Sequence, residues 1–407
     1  MLNIGPGRTD LLVSLVGRMV STFGDEVALV ALTLRLQAQG GRPWEVALLL
    51  AAGIMPLLVL ARPVGRLTDS HDSRRLLVGA GTTEVACTVP LIVLHSVVAI
   101  ILLVTVLGAA AAVASATWSA LVPRIVGEDH VGQAISAQQS LNALVMVGAP
   151  AVGGLLAGTF GTGLPLVVDA VTFVVLTVAA ALVRTRRKLP RRDSDGPLAR
   201  GGFRIVRTDR VLGPLLIGLA VTILFVGMAN VVLVFLIRVT LHAGGVWYGF
   251  ADAAWMTGMV AGSLGGGRVK RESAQTWATI VGVGVACAAL ATFAVVPSVW
   301  MLLPLSVVGG AGNGYTATCF GTLLVRRTAD AERGRVAAAA NGAAGGAQGT
   351  SLLFGGAIAA ALSPRAIYAL AGALGAAVAT MIGVLNATRN GQMPRSRRSR
   401  SEELADG

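Results

Sequence analysis

Residues 63–77 read PVGRLTDSHDSRRLL. An oily run, VALLLAAGIMPLLVLA (46–61), precedes them, and a second, LVGAGTTEVACTVPLIVL (77–94), follows. Each run approaches the roughly 20 apolar residues that cross a bilayer's hydrocarbon core. A short polar break with a glycine at its head and an arginine pair at its end therefore reads as a turn between two membrane spans.

The rest of the chain agrees with this reading. It has 407 residues, 54% of them apolar, a mean hydropathy of +0.74 and only 13% charged residues. Ordinary soluble domains carry about 25% charged residues, so the chain is read as dissolved in lipid. The 52 glycines suit close helix packing inside a membrane. Prolines interrupt several apolar runs, which membrane helices tolerate. The bias toward arginine and alanine over lysine suggests a GC-rich bacterial genome. Cys87, Cys287 and Cys319 each stand alone in apolar segments and read as helix filler. The first apolar run is too long for a cleaved signal and reads as a retained anchor.

Twelve apolar segments follow one another: 11–38, 45–64, 75–95, 97–119, 133–159, 163–183, 211–239, 246–266, 275–296, 299–324, 335–362 and 365–387. Strand-like alternation is missing, so the expected fold is an all-α membrane protein rather than a lipid-facing β-barrel. The longest polar segment splits the chain into six-span bundles at 1–184 and 211–388, joined by a linker at 185–210. A short basic helix lying on the membrane is expected after Pro197, and a disordered basic tail at 389–407. Of the 33 lysines and arginines, all but Arg18, Arg35, Arg42, Arg238 and Arg365 fall on the side shared by the two termini. That asymmetry predicts cytoplasmic termini and a cytoplasmic linker. The net charge of +13 is then a topology signal, with no nucleic-acid partner.

The halves repeat. Gly65-Arg66 and Gly267-Arg268, Arg124 and Arg326, Gly132 and Gly334, and Gly153-Gly154 and Gly355-Gly356 all stand 202 residues apart. Gly24 pairs with Gly227, and Arg35 with Arg238, at 203. Parallel six-span repeats belong to transporters whose substrate site lies near the bilayer midplane.

In the opening stretch, Gly65 is expected to let helices approach or the backbone turn sharply. Asp69 can accept hydrogen bonds from a helix N-terminus or pair with an arginine. Arg74 and Arg75 anchor the start of span three on the cytoplasmic side. The run Gly65 to Arg75 resembles the loop motif of the major facilitator superfamily, G-x-L-x-D-R-x-G-R-R, departing from it at Ser70 and Asp72. Asp72 is similar to the macrolide-efflux-like branch of its drug:proton antiporters, as are ALVPRIV after span four and STFGDEVALVAL in span one. The resemblance implies that Asp69, with Gly65 and the arginines, latches the halves at the cytoplasmic gate; the plainer reading is a topology anchor. Gly148-Ala149-Pro150-Ala151-Val152-Gly153-Gly154 is similar to the antiporter motif G-P-x-x-G-G. Pro150 would bend span five, and the glycines with Gly158 would give it a flat packing face. Small-residue packing alone is the competing account. The span-four arginine of another exporter branch is missing here.

Carboxylates inside spans cost about 2.5–3.5 kcal/mol each and so ask for a reason. Asp25 in span one is the first candidate for proton coupling, also by likeness to that branch, followed by Asp252 and Asp169. Asp25 and Glu26 are adjacent and cannot face one point, so one could pair with Arg18, two turns away. A structural ion pair without transport duty is the alternative. Glu84 is expected to snorkel or pair. The resemblance places the cavity among spans one, four, five, seven, eight, ten and eleven, with Gln138, Asn142, Asn230 and Asn313 as lining or as interhelical glue.

No phosphate-binding G-x-x-x-x-G-K-[ST] loop, nucleophile–base pair or metal-ligand cluster occurs, and His71, His95, His130 and His242 lie at loops. The expectation is a non-enzymatic, proton-coupled exporter of amphipathic, drug-like molecules working by alternating access. It would act as a monomer in the bacterial inner membrane, with a small-molecule substrate, protons and the lipid bilayer as partners, and with no cofactor or metal. An importer or uniporter of a small metabolite is the alternative; a membrane enzyme or receptor is a third class.

Overall fold

A computed structural model describes residues 8–127, 130–182, 198–209, 211–329 and 332–391. Among them the chain is helical without a strand. The helices are α1 (Arg8–Ala38), α2 (Pro43–Val59), α3 (Ala61–Ser70), α4 (Ser73–Val93), α5 (Val97–Val126), α6 (Val131–Phe160) and α7 (Gly163–Leu182). They continue with α8 (Leu198–Thr208), α9 (Leu212–Phe235), α10 (Val246–Gly266), α11 (Glu272–Phe293), α12 (Val299–Arg326), α13 (Arg333–Ala359) and α14 (Pro364–Gly391). A π-helical turn, Leu236–Thr240, extends α9.

Each of the twelve expected segments coincides with a helix. The two further helices are α8, where a short basic helix was expected, and α3, which continues α2 after a bend of 56°. The expected tail lies outside the described residues beyond Gly391, as do residues 183 and 184 at the end of the first bundle and residues 185–197 and 210 of the linker. Among the described residues, seven helices are long and apolar enough to cross a membrane: α4, α5, α6, α7, α9 with its π turn, α11 and α14; the bent pair α2–α3 makes an eighth. The chain is thus a multi-pass membrane protein.

The chain divides into two compact units. The first comprises Met1–Ser194, Val231–Ala253 and Leu352–Ala361. The second comprises Asp195–Asn230, Ala254–Ser351 and Leu362–Gly407. In the first, α7 lies against both α1 and α4, and α5 against α2 and α4. In the second, α11 packs on α12 and α14.

Glycines bring these helices to backbone contact. In the first unit, a Cβ on Gly108 of α5 would stand 2.7 Å from the Gly53 carbonyl oxygen of α2. In the second, a Cβ on Gly310 of α12 would clash with the Trp255 carbonyl oxygen of α10. Gly310 and Trp255 each lie 202 positions beyond Gly108 and Gly53. A second such pair lies within the first unit. Gly154 of α6 abuts Val246 and Gly249 of α10, and Gly356 of α13 abuts Trp44 and Ala47 of α2. All three residues of one contact stand 202 positions from their counterparts in the other. The sequence repeat is therefore a repeat of contacts. Arg35 and Arg238 do not share it. Buried Arg35 donates to the Leu91 and Leu94 carbonyls at the end of α4 and to Thr162, whereas Arg238 donates to Gln37 and the Ala243 carbonyl.

Charge closes one end of the second unit. Asp209 precedes α9 and accepts the N–H groups of Val211 and Leu212, both at 2.8 Å. Arg327, at the end of α12, donates to Asp209 at 3.1 Å and to Glu272 of α11. Burial opposes the Asp209 charge, but the Leu212 and Val211 N–H groups and the Arg327 guanidinium outweigh it and hold the carboxyl below the usual carboxylate range.

Three outcomes are expected from thermal unfolding in detergent. Gly310→Ala forces α12 off a backbone oxygen that cannot yield, and should cost about 1–3 kcal/mol. Gly148→Ala, where nothing lies within 4 Å, should be neutral or stabilising by up to about 1 kcal/mol. Asp209→Ala removes a helix cap and a charge, and should cost about 1 kcal/mol at pH 7. Because the folded carboxyl titrates below its unfolded value of about 3.9, its stabilisation is full above that pH and fades as pH falls through the folded value. The deficit of the variant should narrow in the same window.

Candidate functional site

Asp25 and Glu26 lie mid-way along α1 and face different neighbours, as adjacent helical residues must. Asp25 is exposed, while Asp169 of α7 and Glu84 of α4 are 3% and 2% exposed. The three carboxyls interact electrostatically. Close helix approach sets this up. A Cβ on Gly24 would meet the Asp169 Oδ1 at 2.6 Å and collide with Thr172, and a Cβ on Gly81 of α4 would collide with Thr177 of α7. Only glycine at these two positions lets α1 and α4 sit so near α7. Thr172 donates to the Asp169 carbonyl at 2.7 Å.

Glu26 faces α10 instead, where it interacts with half-buried Asp252 and with Tyr248, whose hydroxyl is hydrogen-bonded to Thr33. The candidate carboxyls thus gather in two neighbourhoods, Asp25 with Asp169 and Glu84, and Glu26 with Asp252, linked by the repulsion between Asp25 and Glu26. Two expectations are corrected here. Arg18 pairs with neither Asp25 nor Glu26; its buried Nη1 has no hydrogen-bond partner. Glu84 neither snorkels nor pairs, because its Oε2 is buried without a partner. Its presence in an apolar segment was the signal that could have found it.

On α6, Gly153 abuts Val27 of α1, and Gly154 and Gly158 abut Gly249 and Val246 of α10. The Pro150 carbonyl faces Gly249, where a Cβ would collide with it. Gly148 touches nothing on that side. The helix runs unbroken from Val131 to Phe160 through Pro150. Gln138 and Asn142 sit half-buried on the same helix. Asn230 and Asn313 both line a cavity of about 400 Å³ in the second unit.

The polar stretch of the opening is more ordered than a loop. Gly65 lies inside α3 without a left-handed backbone, and nothing stands within 4 Å of its Cβ position. It neither turns the chain nor brings helices together. The direction changes at the α2–α3 bend and at His71-Asp72. Asp72, the departure from the family motif, caps α4 by accepting the N–H groups of Arg74 and Arg75 at 3.0 and 3.2 Å. Asp69, Arg74 and Arg75 are exposed. The three cysteines are buried and free, and the described residues contain no group of three metal-ligating side chains.

The profile of the Major Facilitator Superfamily matches residues 14–289 and 215–404. Macrolide efflux protein A of Streptococcus pyogenes is 23% identical over 175 residues, covering 41% of this chain and 43% of that protein, so the chain spans under half the length of this relative. Among solved structures, a bacterial homologue of the iron transporter ferroportin in an inward-facing state superposes with a TM-score of 0.72 at 15% identity, covering 92% of this chain and 97% of that one. The nucleoside transporter NupG gives 0.73 at 11% identity, covering 92% and 98%.

Proposed function

Given that the chain belongs to the major facilitator superfamily, we propose that it exports amphipathic, drug-like molecules in exchange for protons. In this reading it crosses the bacterial inner membrane twelve times, as six-helix bundles at 1–184 and 211–388, with both termini cytoplasmic. The repeat of helix contacts at an offset of 202 supports two equivalent bodies, which can rock about a shared seam. The efflux relative supports outward transport.

The observation that carries the coupling is exposed Asp25 beside buried Asp169 and unpartnered Glu84. The three negative charges repel one another, and the buried two, Asp169 and Glu84, also lose hydration. Taking up a proton relieves both costs. Asp25 is the group that exchanges the proton with water, and Asp169 and Glu84 set how firmly it is held. Asp252 with Glu26 is the second place a proton can sit. A proton moving inward supplies about 1.36 kcal/mol per pH unit and about 2.3 kcal/mol per 100 mV, enough for well over a tenfold substrate gradient. Asp69 with Arg74 and Arg75 forms the cytoplasmic latch, and the Gly148–Gly154 segment of α6 is the gate helix.

In cells lacking other exporters, an antibiotic panel should show lower retention in cells carrying the protein, and an uncoupler should abolish the difference. Reconstituted in vesicles with a pH gradient, Asp25→Asn should lose at least tenfold in pH-driven transport. Unchanged transport by that variant removes Asp25 as the coupling site, and uncoupler-enhanced export or net uptake removes the exporter reading.

A further inference from the structure

The cavity of the second unit is mostly apolar, is dotted with amide groups and carries no charge. Four carboxamides reach it: Asn230 from α9, Asn313 from α12, and Asn341 and Gln348 from α13. Trp255 and Phe320 give it flat apolar walls, and none of its lining residues is ionisable. One further polar group there is unsatisfied. Thr222 of α9 is 8% exposed, lines the cavity, and its hydroxyl has no hydrogen-bond partner. A buried hydroxyl without a partner costs free energy that an incoming acceptor would return. Asn313 is similarly underused: among the described residues its one hydrogen-bond contact is a weak one to the Met259 sulfur at 4.0 Å.

We propose that this cavity is a binding site for an uncharged organic molecule that carries carbonyl or hydroxyl groups on an apolar frame. The size suits a drug-sized ligand, since such sites span about 300–1,000 Å³. Carboxamides donate and accept, so they read neutral polar groups of either kind. An ion would leave water for a wall that offers no counter-charge, and that penalty sets the selectivity. Thr222 donates to a ligand oxygen, Asn313 and Gln348 bond the flanking groups, and Trp255 stacks on the frame. The biological meaning rests on the transport reading, because this neutral class would be the cargo; the site itself does not, since binding needs no gradient.

The test uses the full chain in phosphatidylcholine nanodiscs with three probes of similar shape. They are neutral triphenylphosphine oxide, the tetraphenylphosphonium cation and the tetraphenylborate anion. The neutral probe should quench tryptophan fluorescence saturably, lose that signal in Trp255→Phe, and bind at least tenfold more tightly than either ion. Thr222→Val, which removes an unpartnered hydroxyl and should leave thermal stability intact, should weaken it severalfold. Asn313→Leu should weaken it about tenfold. Asp25→Asn should leave it unchanged even where transport is lost, which separates failure of this site from failure of the coupling scheme. Three results overturn the proposal: no binding of triphenylphosphine oxide, binding indifferent to Thr222→Val and Asn313→Leu, or ions that bind as tightly and respond to the same variants.

Discussion

Glycine against a neighbouring backbone is the contact on which this molecule depends. Lipid gives helices no hydrophobic reason to associate, so they must gain by packing closely. Gly108 on the Gly53 carbonyl and Gly310 on the Trp255 carbonyl do this within separate units, at the same 202-residue offset. Gly154 and Gly356 add a second repeated pair. Such contacts bind without side chains, and so leave side chains free for polar work elsewhere on the same helices.

That division of labour explains which helices are less oily than a membrane span usually is. Among the described residues, α1, α10, α12 and α13 fall short of the length-and-hydropathy standard that seven others meet. They are 31, 21, 28 and 27 residues long, ample to cross a bilayer. What lowers their hydropathy is glycine together with Asp25, Glu26, Asp252, Asn313, Asn341 and Gln348. These are the residues of the carboxyl groups and of the uncharged cavity. A helix that shows polar groups to the interior need not be greasy all round.

The sequence made the helical architecture readable because apolar length is a strong signal, and it made the repeat readable because glycine and arginine landmarks keep their spacing. Side-chain direction was harder to read. Arg18 stood at helical spacing from Asp25 yet pairs with neither neighbouring acid, because spacing along one helix does not say which other helix a side chain meets. Glu84 was expected to snorkel or pair, but close approach of α4 to α7 at Gly81 accompanies its burial without a partner for Oε2. In the polar turn, the motif drew attention to Gly65 and Asp69, while the capping falls to Asp72, where the sequence leaves the motif. Thr222 could not have been singled out, since only the fold shows that its hydroxyl lacks a partner.

Proton exchange at the Asp25 group is the claim that joins these features into a machine. Proteoliposomes loaded with a pH-sensitive dye test it directly, using the compound whose retention the accumulation assay shows to fall. With no imposed gradient, substrate movement through the protein should drive a counterflow of protons that stops in Asp25→Asn and is slowed in Glu84→Gln. Substrate movement with no accompanying change in internal pH, or counterflow indifferent to both substitutions, would contradict the account.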